Sequence, residues 1–145
     1  MAVVLDSSVV LALYHDGDQD HELVTRWVDT LDDDLLMTPL IVTELDHQLP
    51  RFGGKPAQEA LWSDLESGAW GVRWWSTAMA ETLVFTRERP ALGLADASLL
   101  ALARLLGTDR IATLDLRHFR RARTVAGAPF ILLPQDDHMT TETTP

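Results

Sequence analysis

The sequence predicts an α/β protein, a three-layer α/β/α sandwich around a central parallel sheet of four to five strands. Three observations carry that prediction. Short apolar runs stand at 2–5, 35–38, 111–114 and 130–133, and uninterrupted runs of this length suit strands buried on both faces. Between them lie longer segments with apolar residues at three-and-four spacing, the signature of helices packed on one face. The third is residues 94–106, apolar throughout except for Asp96, Ser98 and Arg104 and bracketed by Gly93 and Gly107. A helix apolar all round belongs in the middle of a domain. Strands alternating with helices imply parallel pairing with right-handed crossovers.

Each element follows in order. The run 2–5 is the first strand; it ends on Asp6, followed by Ser7, Ser8 and an apolar helix from Val9. The loop 14–20 carries three Asp, but no Glu follows at EF-hand spacing, so it reads as solvated. A helix is expected over 21–31, with Leu23, Val24, Trp27, Val28 and Leu31 on one face. After the acidic turn 32–34 comes the strand 35–38, then a helix opened by Pro39, where a missing N–H costs nothing. Glu44 lies one turn into that helix. Residues 51–56 read as a turn; the Gly-Gly-Lys within it lacks the spacing and the preceding strand of a phosphate loop. A helix over 57–67 should pair with the previous one as a hairpin. Residues 72–75 are expected to form an edge strand, given Arg73, and 77–88 another helix. The strand 111–114 delivers Asp115, and 130–133 is a last edge strand.

Composition bounds the function. At 145 residues the chain is read as one domain over 1–133, followed by a polar, Thr-rich tail over 134–145 that is expected to be disordered. There is no cysteine, hence no disulfide and no thiolate metal site. No apolar run approaches the roughly 20 residues that span a bilayer, and the first residues do not form a secretory signal; a soluble cytoplasmic protein is expected. The net charge of -10 argues against nucleic-acid binding driven by overall charge. It leaves room for a local basic surface, and residues 104–123 hold six Arg against two Asp. That run is either a solvated face or a contact for phosphates. Four tryptophans, at 62, 70, 74 and 75, crowd one region and serve either the core or a partner surface.

Taken singly, Asp6 and Asp96 could be helix caps and Glu44 a surface residue. Taken together they suggest chemistry. In a parallel sheet every strand C-terminus faces one edge, which holds Asp6 and Asp115, and helix N-termini carrying Glu44 and Asp96 can face the same edge. Four converging carboxylates repel one another unless a cation neutralises them. Hard oxygen ligands suit Mg²⁺ or Mn²⁺, and such a site supports metal-assisted phosphodiester hydrolysis.

The chain resembles the PIN-domain ribonucleases, and among them the VapC-type toxins of bacterial type II toxin–antitoxin pairs. The matching residues are Val4-Leu5-Asp6-Ser7-Ser8, Thr43-Glu44-Leu45, Leu94-Ala95-Asp96-Ala97, and Ala112-Thr113-Leu114-Asp115 followed by His118-Phe119. The resemblance implies a PIN-like fold in which Asp6, Glu44, Asp96 and Asp115 bind metal, Asp6, Asp96 and Asp115 holding it and Glu44 holding it or orienting water. It implies supporting hydroxyls at Ser7 and Thr113. It implies a single-strand-selective endoribonuclease, homodimeric, with an antitoxin protein as partner. Arg117, Arg120 and Arg121 are then expected to contact RNA phosphates. Two other readings stay open: a PIN-like binding module that scaffolds a partner without chemistry, and a haloacid-dehalogenase-like phosphotransferase. The latter wants a second Asp two residues after the first, where Ser8 stands.

Overall fold

Val3, Val4 and Leu5 are sealed from solvent, as a strand covered on both faces must be. In the computed structural model, which describes residues 1–137, they belong to β1 (Ala2–Leu5). The other strands are β2 (Asp34–Met37), β3 (Gly71–Val72), β4 (Arg110–Ala112) and β5 (Ile131–Leu133). All pair in parallel in the order β3-β2-β1-β4-β5, with Val4 opposite both Leu36 and Ile111.

That order positions the site. The chain runs outward from β1 through β2 to β3, then returns to lay β4 and β5 on the other side of β1. The direction of winding reverses between β1 and β4, and open α/β sheets bind ligands outside the carboxyl ends of strands at such a reversal.

Helices α1 (Ser7–Tyr14), α2 (His21–Asp29), α3 (Pro39–Phe52), α4 (Gly54–Ser67), α5 (Ala78–Glu88), α6 (Gly93–Leu106) and α7 (Leu116–Phe119) flank the sheet. Thr38 caps α3 by accepting from the Ile41 N–H at 3.3 Å, and Pro39 opens it. The apolar helix is α6: Asp96 to Ala103 are buried without a break, against β1, α3 and α5. A three-residue 3-10 turn, 90–92, leads into it through Gly93, whose φ of +81° and ψ of 166° are open essentially only to glycine.

Three boundaries differ from the sequence reading. The third strand is Gly71–Val72 rather than 72–75. A Cβ at position 71 would lie 2.3 Å from Leu36 Cδ2 and 3.2 Å from Leu35 O, so glycine lets this edge approach β2 without displacing Leu36, and pairing ends when Arg73 N donates to Met37 O. The expected turn 51–56 shrinks because α3 continues through Pro50 to Phe52 and α4 starts at Gly54. Of the expected tail, residues 134–136 form a turn, and Asp136 is buried, accepting from Leu132 N at 2.8 Å. Residues 138–145 lie outside the described residues. The tryptophans act as internal ties: Trp62 Nε1 donates to Asp46 Oδ1 at 2.7 Å, Trp70 Nε1 to Tyr14 Oη at 2.7 Å, and Trp75 Nε1 to Glu81.

Candidate active site

Asp6 stands where β1 ends. Its N–H donates to Ala112 O at 2.9 Å, the last bond joining β1 to β4, and its side chain then caps α1 by accepting from Ser7 N at 2.8 Å. The capping expectation therefore holds for Asp6, but it uses only Oδ1. The second oxygen accepts from Ser8 Oγ at 2.7 Å and from Thr113 Oγ1 at 2.8 Å. Three donors thus hold one buried carboxylate in a single orientation. Both hydroxyls also accept from the chain leaving β4: Ser8 Oγ from Leu114 N at 2.9 Å, Thr113 Oγ1 from Asp115 N at 3.0 Å. They lace the ends of β1 and β4 together at the winding reversal. Ser7 turns its hydroxyl the other way and donates to Glu44 Oε1, joining α1 to α3.

Asp96 does not cap α6; no side chain caps that helix. Its Oδ2 lies 2.9 Å from His118 Nδ1, and the same nitrogen lies 3.2 Å from Asp115 Oδ2. Asp115 precedes α7 and makes no cap bond either. One imidazole therefore spans two carboxylates from two separate elements. Burial pushes the Asp96 carboxyl up to about 7, the neighbouring charge of Asp6 adds to it, the bond to His118 opposes it, and Glu44 contributes a smaller upward push. Asp96 thus feels the charges of Asp6 and Glu44, and His118 joins it to Asp115, which relates the four acids expected from the sequence.

Among the described residues, no three carboxylates or imidazoles stand in a ready coordination shell. The donor set itself, carboxylate oxygens among which Asp6 and Glu44 add to the effect of burial on Asp96, fits a hard divalent cation.

Sequence reasoning missed Ser8 and His118 as parts of this assembly. The second Ser of Asp6-Ser7-Ser8 was the available signal for Ser8, since position i+2 of an Asp leaving a strand can bond back to it. His118 stands in the motif that follows Asp115, but nothing there assigns it a contact with Asp96.

The expected phosphate contacts divide. Arg120 is already engaged: its guanidinium donates to Asp136 at 2.7 and 2.6 Å, and that pair pushes its pKa up. Arg117 and Arg121, both exposed, make no ion pair among the described residues. A cleft of about 910 Å³ beside His118 is lined by both. A second, of about 980 Å³ between α5, α6 and the 122–130 segment, touches none of the four acids.

Comparison with known proteins places the fold. The family model described as PIN domain matches residues 3–124. Ribonuclease VapC26 of Mycobacterium tuberculosis (strain ATCC 25618 / H37Rv) is 32% identical over 135 residues, covering 91% of this chain and 100% of the relative. Among solved structures, Mycobacterium tuberculosis VapC20, described as a sarcin-ricin loop cleaving toxin, superposes with a TM-score of 0.73 at 18% identity, covering 80% of this chain and 92% of that one. VapBC2 from Rickettsia felis, bound to a DNA fragment from its promoter, does so with a TM-score of 0.60 at 11% identity, covering 83% and 92%.

Proposed function

From the premise that this chain belongs to the PIN-domain family, we propose that it is a metal-dependent endoribonuclease acting as the toxin of a toxin–antitoxin pair. The observation that carries this is the gathering of Asp6, Glu44, Asp96 and Asp115 at the winding reversal, with too little positive charge to balance them. Ribonuclease VapC26, with 32% identity, supports the choice of RNA.

Asp6, Asp96 and Asp115 are the residues that would hold Mg²⁺ or Mn²⁺, and Glu44 either joins them or orients the attacking water. When bound, the cation supplies polarisation of the phosphate and a water of lowered pKa. The chain does the rest. Ser8 and Thr113 fix Asp6, Ser7 fixes Glu44, and His118 keeps Asp96 and Asp115 side by side. Preorganised groups of this kind need no rearrangement as charge develops. Arg117 and Arg121 neutralise RNA phosphates beside the site.

The partner is an antitoxin protein, and the site of action is the cytoplasm; no described helix is long and apolar enough to cross a membrane. A homodimer is supported by α5, which leaves Met79, Leu83 and Val84 exposed. The competing binding-module reading predicts no chemistry. The test is cleavage of a labelled structured RNA by the purified, partner-free chain with Mg²⁺, with Mn²⁺ and with EDTA, beside Asp96→Asn. Metal-dependent cutting that disappears in the variant is expected. Cutting that persists in EDTA or in the variant would overturn the site.

A further inference from the structure

We propose that the cleft beside His118 seats one unpaired nucleotide adjoining the scissile phosphate, with its base on an apolar floor and its phosphate on Arg117 and Arg121. The proposal deepens the nuclease reading and rests on it.

The cleft is built by the two segments that carry acids. Residues 90–92 lead through Gly93 into the first turn of α6, which holds Asp96; α7 and the residues after it follow Asp115 directly. His118 lines the cleft and bonds both acids. The acids themselves do not line the cleft, but His118 spans the step from it to both of them, which sets a nucleotide lodged there beside a phosphate lying over the acids. The volume of about 910 Å³ is within the 300–1,000 Å³ of ordinary ligand pockets. Pro90, Leu92 and Leu116 supply an apolar floor, which suits the π-face of a base and reads no particular sequence.

The rim supplies the charge. Arg120 is taken by Asp136, and Arg89 donates its Nη2 to Arg121 O. Arg117 and Arg121 form no ion pair among the described residues and are exposed. In a chain of net charge -10, two uncommitted guanidinium groups next to an acidic site are complementary to a phosphate and to little else in the cell that also carries a flat apolar ring. Bases in an A-form duplex are stacked and turned inward, so they cannot enter; a splayed single strand can.

The test is binding, measured in EDTA so that no metal-dependent chemistry intervenes. A fluorescein-labelled mixed-sequence RNA decamer is titrated with the full chain and followed by anisotropy, beside a ten-base-pair RNA duplex. The single strand should bind at least tenfold more tightly than the duplex. Arg117→Ala/Arg121→Ala should weaken it at least tenfold and flatten the slope of log K against log salt by about 0.7, the value for one phosphate contact on a single strand. Ala91→Glu, which places a carboxylate in the cleft, should weaken it as well, whereas Arg26→Ala on α2 should not. Unchanged binding in the double variant, or equal binding of duplex and single strand, overturns the proposal. If the cleft binds as expected and no metal yields cleavage, the nuclease reading fails while the cleft stands. If the protein cleaves and the double variant binds normally, the cleft fails alone.

Discussion

Asp96→Asn should stabilise the folded chain while abolishing its activity, and the size of the gain can be worked out. Asp96 is buried beside Asp6 and Glu44, and its carboxyl is raised from 3.8 to about 7. An acid whose pKa is raised on folding binds more protons in the native than in the unfolded state between those two values. Stability therefore falls as pH climbs from about 4 to about 7, and the full cost persists above that. Three units at about 1.4 kcal/mol each set a ceiling near 4 kcal/mol. The Asp96 side chain is only 12% exposed, yet the effective dielectric felt even at buried sites is about 20, which brings the figure down to about 1–2 kcal/mol.

Asparagine keeps the shape and an oxygen for His118 and removes the charge. At pH 8 in EDTA, urea denaturation should show the variant more stable by that amount, with a difference that shrinks steadily toward pH 4. Adding millimolar Mn²⁺ should then reverse the order, because a cation that binds only the folded parent stabilises it by mass action and finds fewer ligands in the variant. A variant less stable than the parent at pH 8, or a difference that does not change with pH, would refute the reasoning.

Three further outcomes follow from particular contacts. Thr113→Val removes a donor to Asp6 Oδ2 and the acceptor for Asp115 N; Mn²⁺ affinity by calorimetry should fall about 10–100-fold, as it does when an outer-shell partner is lost, with little change in circular dichroism. Asp136→Ala strips Arg120 of its bidentate partner and leaves the Leu132 N–H without that acceptor; urea denaturation should show a loss of about 2–3 kcal/mol, partly recovered in Asp136→Asn. Gly93→Ala forces a side chain into a backbone region reserved for glycine, although nothing lies within 4 Å of the added Cβ; thermal unfolding should register about 1–3 kcal/mol of lost stability, and cleavage should fall as the start of α6 carries Asp96 out of place.

What the sequence disclosed and what it withheld divide along a physical line. A period is a local property, and so is an acid at the end of an apolar run. That is why β1 with Asp6, β4 leading to Asp115, and α6 with Asp96 in its first turn could all be placed before any contact was known. Parallel pairing then forces the ends of β1 and β4 to one edge, so the meeting of Asp6 with Asp115's strand is a consequence of topology rather than of any particular side chain. The details that escaped depend on where side chains meet across the fold. Nothing local distinguishes Arg120, tied to Asp136, from Arg117 and Arg121, which stay uncommitted; the difference arises because residues 134–136 turn back onto β5. Gly71 looked like the residue before a strand and is instead paired with Leu36, where a side chain would press on it. His118 is the sharpest case. Its backbone position follows from the motif, yet its part in the site exists only because α6 and α7 bring Asp96 and Asp115 within reach of one nitrogen. That contact joins Asp96 to a residue 22 positions further along the chain, an interaction that no stretch of the sequence contains by itself.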